Sequence, residues 1–260
     1  MGIRVESDAA DPRVLVITID RPEARNALDP EHQQALGDAV AAFEADDARA
    51  VAILTGAGPT FSAGADLKAL IPAYRDAVRA GEDPPWNFGG FTATVRHKPL
   101  LAAVNGHALA GGLEMALACD IRIAGPDATF GLAETKWAII PGAGGTVRLP
   151  RTVPPSLAME MILSGDPIDA AEAHRVGLVN RVVPTADLLD TALELARRIA
   201  SRGPLAVRLA RERVLDGLSH DHDTAMAREH EAFLVAMRSD DAVEGPTAFA
   251  ERRAPHYRGR

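Results

Sequence analysis

The chain has 260 residues, 47% apolar and 25% charged, enough to bury one substantial α/β core and unlike the composition of a disordered chain. Its 28 Lys and Arg against 36 Asp and Glu leave a formal charge of −8, which argues against a general nucleic-acid or membrane-surface binder. One cysteine excludes an intrachain disulfide.

The first twenty residues hold no apolar signal core, and no run of 18 apolar residues occurs anywhere, so neither a targeting nor a spanning segment is predicted and a cytoplasmic location is expected. Residues 13–20 (RVLVITID) are rich in β-branched side chains and predict a strand. A polar loop broken by Pro22 follows, and Asp29 before Pro30 marks a helix start, with Leu36, Val40 and Phe43 at helical spacing. Residues 50–55 predict a second buried strand, and 61–66 lead into another helical segment. The segment 80–90, with Gly81, Pro84, Pro85, Gly89 and Gly90, predicts a mobile loop.

A third strand is expected at 99–104, turned by Asn105-Gly106, then a helix over 110–118 with glycines at its start, then a fourth strand at 120–124. Strand and helix alternating in this way imply parallel pairing with crossovers. Cys119 closes the apolar run from Met115 and reads as a buried structural thiol. From about residue 155 the chain is mostly helical, apart from the apolar run 176–183, and amphipathic helices begin near Asp187, Pro204 and Asp221. The domain reading is a β/α core over 1–195 and a helical C-terminal subdomain over 196–260. The basic tail around Arg252, Arg253, His256, Arg258 and Arg260 reads as solvated, or as a contact for an anionic ligand or a neighbouring subunit.

Chemistry is suggested at two small-residue turns and two carboxyls. Ala63-Gly64-Ala65-Asp66 can present the amide of Ala65, and Ala110-Gly111-Gly112 opens a helix, so the amide of Gly111 stands clear of the intrahelical ladder. Two such donors could stabilise an oxygen that turns anionic. Glu114 lies one helical turn beyond Gly111, and Glu134 follows after a strand; two carboxyls can take and give protons. The run 142–145 (GAGG) lacks the Gly-Lys-Ser/Thr of a phosphate loop. His107 reads as a hydrogen-bonded loop imidazole rather than a catalytic group. Residue chemistry alone reaches an α/β enzyme with anion-hole turns and leaves its substrate open.

Seven segments in order resemble the crotonase, or enoyl-CoA hydratase/isomerase, family: RPEARNAL (21–28), FSAGADLK (61–68), AVNGHALAGGLE (103–114), CDIRIA (119–124), FGLAE (130–134), IPGAGGTVRL (140–149) and EGPTAFAER (244–252). The resemblance implies a crotonase-like β/α spiral core with a helical C-terminal trimerisation region, assembled as a homotrimer or a dimer of trimers. It implies an acyl-CoA substrate, with no nucleic-acid or membrane partner, no metal and no cofactor beyond the coenzyme A of the substrate.

On the same resemblance Ala65 and Gly111 supply an oxyanion hole, and Glu114 and Glu134 match the two glutamates of the hydratases. Ala24, Arg25 and Ala27 wrap the CoA moiety, while Ala63, Asp66, Leu67 and Lys68 lie near the pantetheine and thioester. The expected reaction is syn addition of water to a trans-2-enoyl-CoA. The alternatives are a Δ3,Δ2-enoyl-CoA isomerase, a methylglutaconyl-CoA hydratase, which the segment 134–141 resembles, and a non-catalytic acyl-CoA-binding protein. Three departures stand out. Glu23 falls where hydratases often carry a basic residue; Ala110 replaces the first glycine of a Gly-Gly-Gly run, a change expected to be mild; and Trp137 is expected either to border the acyl pocket or to be a core aromatic.

Overall fold

A computed structural model describes residues 2–84 and 87–260. The chain runs β1 (Gly2–Ser7), β2 (Val14–Asp20), α1 (Pro30–Ala45), β3 (Val51–Gly56), β4 (Thr60–Ser62), α2 (Leu67–Arg79), β5 (Leu100–Val104), β6 (His107–Leu109), α3 (Gly111–Ala118), β7 (Ile121–Ala124) and β8 (Thr129–Gly131). It continues through α4 (Gly145–Thr152), α5 (Pro155–Ser164), β9 (Ile168–Asp169), α6 (Ala170–Arg175), β10 (Arg181–Val182), α7 (Leu188–Ala200), α8 (Pro204–Gly217), α9 (His222–Met237) and α10 (Asp241–Glu251).

Six strands form one sheet in the order β1-β2-β3-β5-β7-β10, antiparallel only at β1-β2 and parallel elsewhere. The inner strands are buried on both faces, which is why they read as continuous apolar runs rather than as alternation. A second, four-stranded sheet, β4-β6-β8-β9, was not foreseen from sequence. Its first three strands are parallel and three residues long, too short to carry a periodic signal. β1 was missed as well; it is largely exposed and held by its register on β2, with Ile3 opposite Ile19.

The two sheets are turns of one spiral. Each long strand of the first sheet (β3, β5, β7) is followed by a tight turn and a short strand of the second (β4, β6, β8), then by helical structure. The turns leave no room for side chains: a Cβ on Gly106 would fall 1.9 Å from the carbonyl oxygen of Pro59. Asn105 closes the same corner, accepting from the Gly56 amide at 3.2 Å and donating to the Gly58 carbonyl at 2.6 Å. Whatever follows β4, β6 and β8 is thereby delivered to adjacent strand ends.

α1 begins where the sequence predicted it, with the Asp29 carboxylate accepting from the His32 amide at 2.9 Å. The segment 80–90 departs from its expectation as a mobile loop. Pro85 lies outside the described residues, but residues 88–90 form a 3-10 turn packed onto α1 and α3, with Phe88 and Gly89 buried. The approach is close enough that a Cβ on Gly90 would lie 2.2 Å from the Cα of Gly37.

Leu188, Ala192, Ala196 and Ala200 of α7 lie against Val14, Ile53, Leu101 and Ile123 of the large sheet. α8 is tied back to the core by Arg211, whose Nε lies 2.8 Å from an Asp120 carboxylate oxygen. The basic tail is not simply solvated. Arg253 pairs with Glu244 and Glu251, and Asp241 accepts from the amides of Arg258 and Gly259 at 2.7 and 2.8 Å, so the tail folds back along α10. Among the described residues no helix is long and apolar enough to cross a membrane.

Candidate active site

The short sheet explains how distant residues meet. Ala65 follows β4, Gly111 follows β6 and Glu134 follows β8, and these three strands are neighbours in that order. Register carries the alignment through: Ser62 lies opposite Ala108, Leu109 opposite Gly131, and the Ala110 amide donates to the Gly131 carbonyl at 2.8 Å.

Among the described residues neither the Ala65 nor the Gly111 amide has a main-chain acceptor. Leu28 bridges to Ala65, but the bonds use its neighbours: the Leu28 amide donates to Gly64 at 2.8 Å, and the Asp66 amide donates to Leu28 at 2.9 Å. The Ala65 N–H therefore points away from that ladder. Gly111 is the first residue of α3, whose ladder starts with the Glu114 amide on the Ala110 carbonyl at 3.1 Å. The two turns touch, since a Cβ on Gly64, at φ 88°, would lie 2.7 Å from the Gly111 nitrogen. Phe88 sets the other wall, its ring 2.6 Å from where a Gly111 Cβ would be.

Glu114 and Glu134 are both buried, 3% and 6% exposed, and their environments differ. Glu114 Oε1 accepts from the amides of Ala143 and Gly145 at 2.7 and 2.8 Å. Burial pushes its pKa up, while those two amides and the Arg148 guanidinium pull it back. Glu134 has only its own main-chain amide to lower its pKa, and among the described residues its buried Oε2 has no partner. Burial above all, with the neighbouring Glu114 charge, raises its pKa from the ordinary 4.5 to about 7. Both carboxyls are thus raised by burial, and amides and a cation counter that rise at Glu114, whereas Glu134 is raised to about 7.

The cradle of Glu114 escaped the sequence reading. Residues 142–145 fail as a phosphate loop, yet their amides bind an anion all the same: a side-chain carboxylate of this chain. Asn26 was also passed over. At φ 55° and fully buried, it donates to the carbonyls of Ala57 and Thr60 at 2.9 and 2.6 Å and accepts from the Arg21 amide at 3.0 Å, pinning the loop that carries Ala24, Arg25 and Ala27. That loop lies on the next, with the Ala63 amide donating to the Arg25 carbonyl at 3.0 Å. Arg25, Leu67 and Lys68 are exposed, whereas the Asp66 carboxylate is engaged by Arg21 at 3.0 Å and by the Lys68 amide at 3.2 Å.

Three other residues resolve differently. His107 is exposed with Nδ1 2.7 Å from the Thr129 hydroxyl, hydrogen-bonded as expected but at the start of β6 rather than on a loop. The Cys119 thiol is buried and pushed up to about 12, which leaves it no thiolate for nucleophilic work. Trp137 is 66% exposed and so is not a core aromatic.

Ala110 is a larger departure than the sequence suggested. It sits at φ 51°, ψ −126°, a conformation glycine adopts freely and an L side chain does not. Such strain costs on the order of 1–3 kcal/mol. Ala110→Gly is expected to stabilise the protein by about 1 kcal/mol after the added chain entropy of glycine, seen as a higher urea midpoint at unchanged slope. A lower midpoint would refute the strain.

Comparison with known proteins identifies the family. The family model for enoyl-CoA hydratase/isomerase matches residues 10–260. The chain is 42% identical over 257 residues to a carnitinyl-CoA dehydratase of Salmonella arizonae, and 41% identical over 254 residues to a crotonyl-CoA hydratase of Syntrophomonas wolfei, covering 95% of both chains in each case. Among solved structures, it superposes on an enoyl-CoA hydratase from Mycobacterium tuberculosis with a TM-score of 0.90 at 41% identity, over 99% of each chain. An enoyl-CoA hydratase from Bacillus anthracis gives 0.90 at 40% identity over the full length of both. Fold and relatives together define a crotonase-fold enzyme of CoA-thioester chemistry. The chain belongs to the enoyl-CoA hydratase/isomerase family, as a hydro-lyase of the enoyl-CoA hydratase kind.

Proposed function

We propose that the protein adds water syn across the double bond of a trans-2-enoyl-CoA to give the 3-hydroxyacyl-CoA. The observation that carries this reading is the pair of adjacent, unlike carboxyls beside two unclaimed amides. The thioester oxygen lies between the N–H groups of Ala65 and Gly111, where negative charge develops as water attacks the β-carbon. Ionised Glu114 takes a proton from that water as the C–O bond forms. Protonated Glu134 gives its proton to the α-carbon, and the adjacency of the carboxyls lets a proton return to reset the pair. Ala24, Arg25 and Ala27 wrap the CoA moiety, with Ala63, Asp66, Leu67 and Lys68 beside the pantetheine; Asp66 acts by holding α2 and Arg21 in place. Two carboxyls favour hydration over a one-base isomerisation of a 3-enoyl-CoA.

Assembly as a homotrimer or dimer of trimers is supported by the apolar side chains of Phe233, Met237, Val243 and Phe249, exposed on α9 and α10. The test is a panel of enoyl-CoAs, with crotonyl-CoA first, followed by loss of enoyl absorbance. A 3-enoyl-CoA and carnitinyl-CoA, the latter in the dehydration direction, complete the panel. Turnover of at least one 2-enoyl-CoA is expected, from a species of three or six chains by light scattering. Binding of these thioesters with no turnover of any would sink the reading, and a monomer in solution would sink the assembly.

A further inference from the structure

We infer that Arg148 is a positioning residue for the reaction, holding the turn 143–145 against Glu114 and setting a positive charge behind that turn. The inference rests on the hydratase reading above and assigns work to a side chain that reading does not use. Arg148, on α4, stands behind the turn. Its Nη1 donates to the Ala143 carbonyl at 3.1 Å, and its Nη2 donates to the Thr92 carbonyl on the far side. The same Ala143 residue presents its amide to Glu114 Oε1 at 2.7 Å, so a single peptide segment is gripped from one side by a cation and from the other by a carboxylate.

The turn is shaped for this. Gly144 sits at φ 106°, and a Cβ there would fall 1.9 Å from Arg148 Nη1, so the guanidinium lies on the bare face of the glycine. The Arg148 amide closes the turn on the Gly144 carbonyl at 2.7 Å. A planar fork with two fixed donors spans the Ala143 and Thr92 carbonyls together, which a lysine cannot do. Charge acts in the same direction. Glu114 is faced by Arg148 from α4 and by Glu134 from the turn after β8, while Arg148 is faced by Arg96 from the segment before β5 and by the neutral Cys119 thiol at the end of α3. Burial still raises the Glu114 pKa, and the Arg148 charge adds to the larger lowering effect of the Gly145 and Ala143 amides.

The test uses the whole enzyme with the best enoyl-CoA of the panel, comparing wild type, Arg148→Lys and Arg148→Gln across a pH profile. Arg148→Gln is expected to lower kcat on the order of ten- to a hundredfold and to move the acidic limb of kcat/KM upward, because an opposite charge near a carboxylate has been removed. Arg148→Lys keeps the charge and loses the double grip, so its limb stays at the wild-type pH while kcat falls severalfold. A lowered kcat with an unmoved limb in Arg148→Gln means a merely structural role and overturns the inference. Should that variant fail to fold, a wild-type kcat in Arg148→Lys overturns it equally. Failure of the underlying reading looks different: wild type then hydrates no enoyl-CoA, or Glu114→Gln keeps the full rate.

Discussion

Glu134→Gln is expected to lose hydration activity on the order of 10²–10⁴-fold in kcat, with KM little changed. The glutamine fills the same space, but it carries no proton to give to the α-carbon. The buried Oε2, without a partner among the described residues, and the raised pKa of about 7 suit Glu134 to the proposed role of donor, and they carry a second consequence for stability. Its folded pKa lies above the ordinary 4.5, so the folded protein holds a proton that the unfolded chain has released. Below about pH 4.5 both states are protonated and nothing is lost. As pH rises from there to about 7 the wild type loses stability, by up to about 3 kcal/mol, and above that the loss is complete.

Glu134→Gln removes that slope and is expected to be the more stable protein near pH 8, a trade of activity against stability common at active sites. Parallel rate measurements and urea titrations at about pH 5 and about pH 8 test both halves. A variant with the wild-type rate, or with the wild-type pH slope in stability, would remove Glu134 from the role of acid. On the alkaline side, wild-type kcat/KM should fall as Glu134 in the free enzyme ionises through about 7.

The parts of the fold that were legible in sequence are those whose burial leaves a long signal. β2, β3, β5 and β7 are apolar runs buried on both faces, and α1 carries a cap, a proline and an apolar stripe. The second sheet left no such trace, because β4, β6 and β8 are three residues each and are set by main-chain pairing and tight turns. That sheet gathers the site. Glu114 and Glu134 could therefore be picked out from type, position and family resemblance, but their adjacency could not be read from spacing.

Electrostatic division of the pair was equally hidden. It depends on which buried carboxyl meets the amides of Ala143 and Gly145, and a glycine-rich turn looks the same in sequence whether it receives a phosphate or a glutamate. The strain at Ala110 was invisible for a related reason: alanine is among the least conspicuous substitutions for glycine until the backbone is seen at positive φ. The segment 80–90 misled in the opposite sense. Glycines at 89 and 90 were read as freedom, whereas they permit close packing against Met115 and Gly37.

Gly112→Ala should be damaging out of proportion to one methyl group, through geometry rather than chemistry. Gly112 carries no functional group, yet a Cβ there would lie 2.1 Å from the carbonyl oxygen of Ser62 and 2.9 Å from its carbonyl carbon. Both partners are main chain, one in α3 and one at the end of β4, so no rotamer change relieves the clash. Only α3 backing away from β4 can do so. That displacement separates the Gly111 amide at the start of α3 from the Ala65 amide three residues beyond Ser62, and it carries Glu114 along the helix away from the amides of Ala143 and Gly145.

Overpacking of this kind costs about 1–3 kcal/mol, and misplacement of a catalytic constellation by about 1 Å can cost on the order of 10²-fold in rate. The variant is expected to fold, melt earlier and lose about two orders of magnitude in kcat. Gly217→Ala provides the control: its Cβ meets nothing within 4 Å, so stability and rate should stay at wild type or rise slightly with the better helix former. A Gly112→Ala enzyme with undiminished kcat would show that the α3–β4 contact does not set the spacing of the two amides, and the oxyanion role of Gly111 would fall with it.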